Sequence, residues 1–191
     1  MKQIMEEKAQ NYKNGKINYV TEKVVKDSTI TLTINNEISR SLSAIEDSLE
    51  EFAVGYLFNE NMVKSIDDIE KIEINENHIN VEIDDKLLKT KETVLCSDSS
   101  GGWRSKIKEI EPISSDFQVE ADELINRIEE LKNNAQIWQA TGGTHVAGIV
   151  YKNNFIVKED VSRHVAVDKV IGYGILHNYD LSNSYVIYSG R

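Results

Sequence analysis

The segment Glu-Asp-Val-Ser-Arg-His-Val-Ala-Val-Asp-Lys occupies residues 159–169. It joins a predicted strand to a predicted helix and so determines the order of secondary-structure elements in the second half of the chain. Asp160 is a good N-cap residue, and apolar residues recur at helical spacing from position 161 to position 177. Arg163 and His164 therefore fall in the first helical turn, where a positive charge is disfavoured by about 0.3–1 kcal/mol. A bound anion would reverse the sign of this interaction, so the segment predicts an anion site at the helix start.

The acidic residues next to Arg163 allow an alternative interpretation of the positive charge at the helix start. Glu159 and Asp160 stand just before Arg163 and would neutralise it locally, in which case nothing binds. Asp168 lies four residues after His164 on the same helical face and is placed to orient its imidazole, although such pairs are commonly structural. Both interpretations remain open at the level of the sequence.

A second segment, Thr-Gly-Gly-Thr-His at residues 141–145, puts another histidine beside groups suited to an anion. Paired glycines allow close backbone approach, and the flanking hydroxyls are donors. The pattern predicts a backbone nest formed by Thr141, Gly142, Gly143 and Thr144. Lys169 would add positive charge to the same site. The alternatives are a tight turn between a helix and a strand, and a core role for His145.

Cys96 is the only cysteine of the chain and precedes a polar loop that contains two glycines. The thiolate is the reactive form of cysteine, and Arg104 or a nearby histidine is a candidate to lower its pKa. We therefore predict an accessible, reactive thiol. The alternative is an inert thiol at the end of the short strand that contains Val94 and Leu95.

Alternating polar and apolar residues predict three β-hairpins, at 28–34 with 37–43, at 69–74 with 79–83 and at 146–151 with 155–158. Helical spacing predicts helices at 47–59, capped by Asp47 or Ser48, and at 120–134. A last strand is predicted at 184–188. The fold class is therefore mixed α+β, with a boundary near the Cys96 loop that separates region 1–110 from region 111–191.

Bulk composition excludes several classes of protein. The 191 residues are 40% hydrophobic and carry a formal net charge of −10, which disfavours a general nucleic-acid binder. No apolar run is long enough to span a bilayer and the N-terminus lacks a secretory signal, so we predict a cytoplasmic protein without a membrane segment. One cysteine excludes an intrachain disulfide and fits a reducing compartment.

The common catalytic motifs are absent from the sequence. His164 is followed by Val165 and Ala166 rather than by the glutamate of zinc deaminases, and no Pro-Cys-x-x-Cys sequence occurs. A metal site made of Cys96, His145 and His164 would lack diagnostic spacing, so no metal is predicted. Walker loops, Gly-x-Ser-x-Gly elbows and dinucleotide fingerprints do not occur either.

Taken together, four segments resemble the FdhD family, the formate dehydrogenase accessory sulfurtransferases. They are residues 47–62, with Leu-Glu-Glu-Phe-Ala-Val-Gly-Tyr-Leu-Phe-Asn-Glu, then 141–145, 159–169 and Ser-Gly-Arg at 189–191, in the family's order. The resemblance implies a cytidine-deaminase-like α/β core with a smaller N-terminal hairpin and helix region, often dimeric. It also implies a carrier that passes persulfide sulfur from a cysteine desulfurase to the bis-guanine-dinucleotide molybdenum cofactor, before insertion into formate dehydrogenase.

The same resemblance implies roles for individual residues. Cys96 would carry the persulfide. The pocket for the anionic cofactor, or for a guanine nucleotide, would be lined by Thr141, Gly142, Gly143, His145, Arg163, His164, Asp168 and Lys169.

The chain departs from the family pattern at several positions. Ser99 stands where the second cysteine of a Cys-x-x-Cys loop would be, and Ser162 and Val165 replace a glycine and an asparagine. Family chains continue past the Ser-Gly-Arg motif, so part of the cofactor site is expected beyond Arg191. Ser99 favours an alternative function, a cofactor- or nucleotide-binding chaperone of the same family without sulfur transfer. A metal-dependent hydrolase is the third alternative.

Overall fold

The computed structural model describes residues 2–88, 93–95, 103–105 and 116–190. The strands are β1 (Ile4–Lys13), β2 (Lys16–Val25), β3 (Ser28–Ile34), β4 (Ile38–Ala44), β5 (Ile69–Asn75), β6 (His78–Ile83), β7 (Thr93–Leu95), β8 (Trp103–Ser105), β9 (His145–Tyr151), β10 (Asn154–Asp160) and β11 (Ser184–Tyr188). The α-helices are α1 (Leu49–Asn59), α2 (Ala121–Asn134), α3 (Gln136–Thr141) and α4 (Arg163–Leu176). Short 3-10 turns occur at 66–68, 85–87 and 181–183.

These strands form two sheets and two separate hairpins. The first sheet has the order β4-β3-β6-β5, with β3 and β6 parallel, and the second has the antiparallel order β10-β9-β11. β1 pairs with β2, and β7 pairs with β8, as two-stranded antiparallel hairpins. The mixed α+β class is confirmed, as are the three predicted hairpins, the last strand and the helices predicted at 47–59, 120–134 and 161–177.

The main hydrophobic core lies between the first sheet and α1. Ile30 and Leu32 of β3 point into it from alternate positions of the strand, and Phe52 and Leu57 of α1 are fully buried against them. Val165 of α4 belongs to the same cluster. A smaller core joins α4 to β9 and consists of Ala147, Ile149, Ala166 and Val170. Helix α4 therefore contributes to both cores.

Helices α1 and α4 pack backbone to backbone at two glycines. A Cβ on Gly55 would overlap the carbonyl oxygen of Asp168, and a Cβ on Gly172 would overlap that of Glu51. No side chain fits at either position, so the two helices approach more closely than ordinary side-chain ridges allow. Glycine weakens a helix interior by roughly 1 kcal/mol relative to alanine. The crossing explains why α4 contains Gly172 in spite of that cost.

Ser48 occupies the N-cap position of α1, but its side chain does not cap the helix. Its backbone is left-handed, with φ 52°, and its hydroxyl accepts a hydrogen bond from Lys158 Nζ at 2.7 Å. Lys158 also pairs with Glu51 in the first turn of α1 at 3.1 Å. The predicted capping contact is therefore wrong, and Ser48 instead connects α1 to β10.

Among the strands and α-helices, β1, β2, β8 and α3 were not predicted. Strands β1 and β2 are exposed along most of their length, and α3 has only six residues. The boundary predicted between regions 1–110 and 111–191 falls mainly on residues outside the described ranges, so that division stays a prediction. The likeness of the core to cytidine deaminases also stays a prediction. Within the described part of the chain, no helix is long and apolar enough to cross a membrane.

Gly172→Ala should destabilise the protein. The added methyl group would force α1 and α4 apart, and overpacking of this kind costs about 1–3 kcal/mol or more, which exceeds the roughly 1 kcal/mol gained in helix propensity. Urea unfolding followed by circular dichroism measures the change. The matched control is Gly174→Ala in the same helix, where the nearest atoms are side-chain methyls of Ile149 and Leu181 at 3.0 and 3.4 Å that can shift. Equal costs for the two variants would contradict the backbone crossing.

Candidate functional site

Helix α3 ends in a tight glycine turn that leads into β9. Gly142 is its C-cap, with φ +65°, in the left-handed region that favours glycine. Its N–H donates to the Trp138 carbonyl at 2.7 Å. The N–H of Gly143 donates to Thr141 Oγ1 at 3.1 Å, and that hydroxyl donates to the Ile137 carbonyl at 2.7 Å. Both glycine amides bond inside the protein, as the alternative interpretation, a tight turn, requires, so these two N–H groups are not free to bind an anion; the wider nest of residues 141–144 stays a prediction.

A cavity of about 560 Å³ lies beside this turn. Its lining comes from α2, α3 and the strands β9 and β11, and includes Trp138, Gly143, Thr144, His145 and Tyr188. We call it the turn cavity. Its volume falls within the range of about 300–1,000 Å³ that is typical of small-molecule sites. The structure therefore brings the glycine pair and His145 to the wall of one cavity.

Thr144 is the most informative residue of the turn cavity. It is only 7% exposed, and its Oγ1 has no hydrogen-bond partner, the one such buried side-chain atom within the described residues. A buried hydroxyl without a partner costs about 1–3 kcal/mol. A ligand group that bonds to Oγ1 would remove this cost, which makes Thr144 a candidate contact for a polar ligand.

The start of α4 is held by a buried carboxylate. Asp160 is fully buried, and its Oδ1 accepts the N–H of Ser162 at 3.0 Å. Its Oδ2 accepts the N–H of Ile45 at 3.0 Å and pairs with Lys169 Nζ at 2.8 Å. The N-cap residue of α4 is Ser162, so the predicted role of Asp160 as N-cap is wrong. Asp160 instead joins three parts of the chain around the helix start.

Lys169 does not offer its charge to a ligand. It is 0% exposed, and besides Asp160 its ammonium donates to the Ile45 carbonyl at 3.2 Å. Burial raises the pKa of the Asp160 carboxyl above its usual value, while Lys169 and the two backbone donors oppose that rise. The position of Lys169 therefore disagrees with the prediction that it adds positive charge to an anion pocket, because its ammonium group pairs with Asp160 inside the core.

Glu159, the neighbour of Asp160, holds a different element. Its carboxylate accepts the N–H groups of Ile137 and Trp138 in the first turn of α3, at 2.7 and 3.2 Å. Burial raises the pKa of Glu159, and the two backbone donors oppose the rise. The alternative interpretation of the sequence, that Glu159 and Asp160 neutralise Arg163, does not describe the contacts these carboxylates make.

A second cavity, of about 320 Å³, lies at the start of α4. We call it the α4 cavity. Its lining comprises Asn59, Arg163, His164, Val167, Asp168 and Tyr188. Asn59 Nδ2 donates to Asp168 Oδ1 at 2.7 Å, which joins α1 to α4 at the cavity wall. Tyr188 lines both cavities, so six of the eight predicted residues lie in two adjoining spaces rather than in one pocket, and Thr141 and Lys169 line neither. That Asp168 orients His164 stays a prediction.

Cys96 lies outside the described residues, as do Ser99 and Arg191. The backbone immediately before Cys96 is strand β7, which pairs with β8 so that Leu95 is opposite Trp103. The prediction that the thiol shares a cavity with His145, Arg163 and His164 therefore stays a prediction. Within the described ranges, no three histidine, cysteine, aspartate or glutamate side chains are grouped so that they could hold a metal ion.

Fold and site together define a mixed α+β protein with two adjoining cavities where strands meet helices. The same fold occurs in a crystal structure described as a putative formate dehydrogenase accessory protein from Desulfotalea psychrophila. The two structures have a TM-score of 0.74 at 22% sequence identity, over 98% of this chain and 73% of that chain. At this identity the comparison establishes the fold alone.

Sequence comparison identifies the family. The FdhD/NarQ family model matches residues 25–191. The chain is 44% identical over 173 residues to "Sulfur carrier protein FdhD" of Methanothermobacter thermautotrophicus, which covers 90% of this chain and 70% of that protein. It is 34% identical to "Protein FdhD" of Methanocaldococcus jannaschii over 93% of this chain and 70% of that one. The chain therefore belongs to the FdhD/NarQ family, as its motifs predict.

Sequence reasoning missed several residues that shape the cavities. Tyr188 lies outside the quoted motifs, and Asn59 lies within the quoted segment 47–62 but was given no role there. Glu159 was considered only as a partner for Arg163, and its capping of α3 depends on a helix that was not predicted. Thr144 stood within the quoted segment, but its lack of a partner is visible only in three dimensions.

Lys169→Met should lower the unfolding free energy at neutral pH by about 3–5 kcal/mol, since it leaves the Asp160 charge buried and unpaired. The folded pKa of Asp160 is already raised, and loss of the ammonium raises it further. The penalty should therefore be small below the ordinary aspartate pKa of about 4 and grow as pH rises through the folded pKa. Urea unfolding as a function of pH measures it.

Two further variants serve as controls for this prediction. Asp160→Asn combined with Lys169→Met should recover part of the stability, because asparagine is neutral and its oxygen still accepts backbone N–H groups. Lys71→Met, at an ion pair whose lysine side chain is 50% exposed, should cost at most about 1 kcal/mol. A pH-independent or negligible cost for Lys169→Met would contradict the buried pair.

Proposed function

We propose that the chain is a sulfur carrier that serves the maturation of formate dehydrogenase. Its family membership and the 44% identity to a protein named as a sulfur carrier support this function. The single cysteine supports Cys96 as the group that holds the sulfur. The presence of one thiol restricts the mechanism to a simple relay, because no second cysteine of the same chain can resolve a persulfide.

The transfer needs only thiol exchange chemistry. The Cys96 thiolate attacks the outer sulfur of a persulfide on a cysteine desulfurase, the sulfur–sulfur bond of the donor breaks, and the donor cysteine leaves as a thiolate. Cys96 then carries the outer sulfur as its own persulfide. A thiol that works in this way requires a reducing compartment, so we place the protein in the cytoplasm.

The acceptor that we propose is the bis-guanine-dinucleotide molybdenum cofactor, as substrate rather than as a resident group. The turn cavity is suited to one nucleotide arm of this molecule, because it combines a suitable volume with aromatic walls at Trp138 and Tyr188. Thr144 Oγ1 offers a buried, unpartnered hydroxyl that could bond the ring edge. His145 stands at the same wall.

Phosphate groups of the same ligand would be held at the α4 cavity. Arg163 and His164 line it in the first turn of α4, where the helix dipole also favours an anion. Tyr188 borders both cavities, so a ligand passing along this ring would contact the two groups of residues. In a chain with a net charge of −10, such a local cationic site is needed to hold an anionic substrate.

The competing function is a chaperone of the same family that binds the cofactor without transferring sulfur. Ser99 supports it, because the position lacks the second thiol of a Cys-x-x-Cys loop. The two functions share the cavities and differ only at Cys96.

Incubation with a cysteine desulfurase and L-cysteine should add one sulfur atom to the wild-type chain, detected by intact-mass spectrometry under non-reducing conditions. Cys96→Ser should remain unmodified, and Ser99→Ala should be modified like the wild type, since one thiol suffices for the relay. Treatment with a reductant should remove the added mass. An unmodified wild-type chain would support the chaperone instead.

Guanosine diphosphate should bind the wild-type chain in isothermal titration calorimetry, and Thr144→Val should weaken binding about tenfold, the worth of one buried hydrogen bond. The same variant should leave the ligand-free fold as stable as wild type or slightly more stable, because it removes an unsatisfied hydroxyl. Thr33→Val, the same substitution on the distant strand β3, is the matched control. Unchanged affinity in Thr144→Val would remove the turn cavity from the proposal.

A further inference from the structure

The turn between β1 and β2 contains the one Asn-Gly pair of the chain, at Asn14 and Gly15. Lys13 and Lys16 are the last paired residues of the two strands, so the connection has two residues. Asn14 has φ 52° and Gly15 has φ 76°. Positive φ at both central residues is the mark of a type I′ turn, for which Asn-Gly is a preferred sequence. The pair therefore fixes the geometry of the hairpin tip.

The residue that follows distinguishes Asn14 from similar asparagines. Gly15 has no Cβ, so its amide nitrogen is less hindered from approaching the preceding side chain than that of any other residue type. The asparagines with a positive φ in the described part of the chain precede glycine, asparagine, glutamate, methionine and tyrosine, in the order Asn14, Asn35, Asn36, Asn61 and Asn178. Only the first of them combines the left-handed backbone with an unhindered following nitrogen.

No contact restrains the side-chain amide of Asn14 within the described residues. Both residues of its turn are exposed. Asn35 shows the opposite situation. Its Nδ2 donates to the Ile83 carbonyl and to Asp85 Oδ1, each at 2.7 Å, and its Oδ1 accepts the N–H of Ile83 at 2.8 Å. The carboxamide of Asn14 is therefore free to rotate in water, whereas that of Asn35 is fixed.

The turn that holds Asn14 is weakly closed. Lys13 lies directly opposite Lys16, and like charges across a hairpin are destabilising. In the described part of the chain, β1 and β2 pair only with each other, and both are exposed along most of their length. An isolated two-stranded hairpin is marginally stable in water. The tip therefore opens readily, and the backbone of Asn14 can then rotate out of the turn conformation.

We propose that Asn14 is a site of spontaneous deamidation, reached when the like-charged hairpin tip opens. The amide nitrogen of Gly15 gives up its proton to hydroxide and attacks Cγ of Asn14, and the new bond closes a five-membered succinimide. The bond from Cγ to Nδ2 breaks, and that nitrogen leaves as ammonia with a proton from water. Water then opens the ring at either carbonyl, which gives aspartate or isoaspartate. No atom is oxidised or reduced.

The two products have opposite effects on the hairpin. Aspartate followed by glycine is also a preferred type I′ sequence, and its carboxylate would lie between Lys13 and Lys16, where it reduces their repulsion. Isoaspartate adds a methylene group to the main chain, and the length of the loop sets the register of a hairpin. That product therefore disrupts the pairing of the strands. The inference stands apart from the proposed function, because it involves neither Cys96 nor the cavities.

Ageing of the full-length chain at mildly alkaline pH and physiological temperature tests the proposal. Peptide mass spectrometry should find that Asn14 gains the mass difference between a carboxyl and a carboxamide group. The products should co-elute with synthetic peptides that contain aspartate or isoaspartate at this position. The reaction should be about tenfold faster or more than at Asn61 and Asn178, whose following residues are bulky. The same chain in urea gives the rate of the unfolded state.

Three variants separate the contribution of the structure from that of the sequence. Lys13→Glu keeps the Asn-Gly pair but sets opposite charges across the tip, so it should slow the reaction severalfold. Lys8→Glu is the matched control on the same strand, because Lys8 faces Thr21 and takes no part in closing the turn. Its rate should equal that of the wild type. Gly15→Ala should nearly abolish the reaction, although it strains a turn that requires a positive φ.

The opposite outcomes are equally clear. If Asn14 reacts in urea and stays unmodified in the folded chain, the tip does not open and the proposal is overturned. Equal rates at Asn14, Asn61 and Asn178 would overturn it as well. So would a Lys13→Glu chain that reacts as fast as the Lys8→Glu chain, because the like-charged pair would then have no part in opening the tip.

Discussion

The close crossing of α1 and α4 is the constraint on which the rest of the molecule depends. Because Gly55 and Gly172 have no side chains, each helix lies against backbone carbonyls of the other. Val165 thereby enters the core beneath the first sheet, and Asn59 comes within hydrogen-bond distance of Asp168. The first turn of α4 therefore lies beside the end of α1. The α4 cavity, which Arg163 and His164 line, exists because of that placement.

Two adjacent acidic residues at the end of β10 hold in place the elements that line the two cavities. Glu159 holds the first turn of α3, whose other end forms the glycine turn, while Asp160 holds Ser162, Ile45 and Lys169. Successive residues of a strand point to opposite sides, so one strand end can secure two different elements. Burial raises the pKa of both carboxyls, because their structural role places Asp160 wholly and Glu159 partly away from water.

The sequence predicts the elements that bury one face and fails for those that do not. Burial alternates clearly along β3 and β6 because one side of the sheet lies on a core, whereas β1 and β2 are exposed along most of their length. The ion pair of Asp160 and Lys169 was invisible for a different reason: the residues lie nine positions apart and only burial makes them partners. Motifs located the cavity walls, but they could not distinguish an amide that is free from one already bonded, as at Gly142 and Gly143.

The occupied glycine amides have a consequence for selectivity. The ligand proposed for the turn cavity would find the N–H groups of Gly142 and Gly143 already bonded, and among the described side chains the buried polar atom without a partner is the hydroxyl of Thr144. A hydroxyl both donates and accepts, so it satisfies either kind of edge on a heterocycle and cannot by itself tell one purine from another. Discrimination between bases would have to come from the shape of the cavity and from stacking against indole and phenol rings. The shape of the cavity walls would therefore decide which base binds.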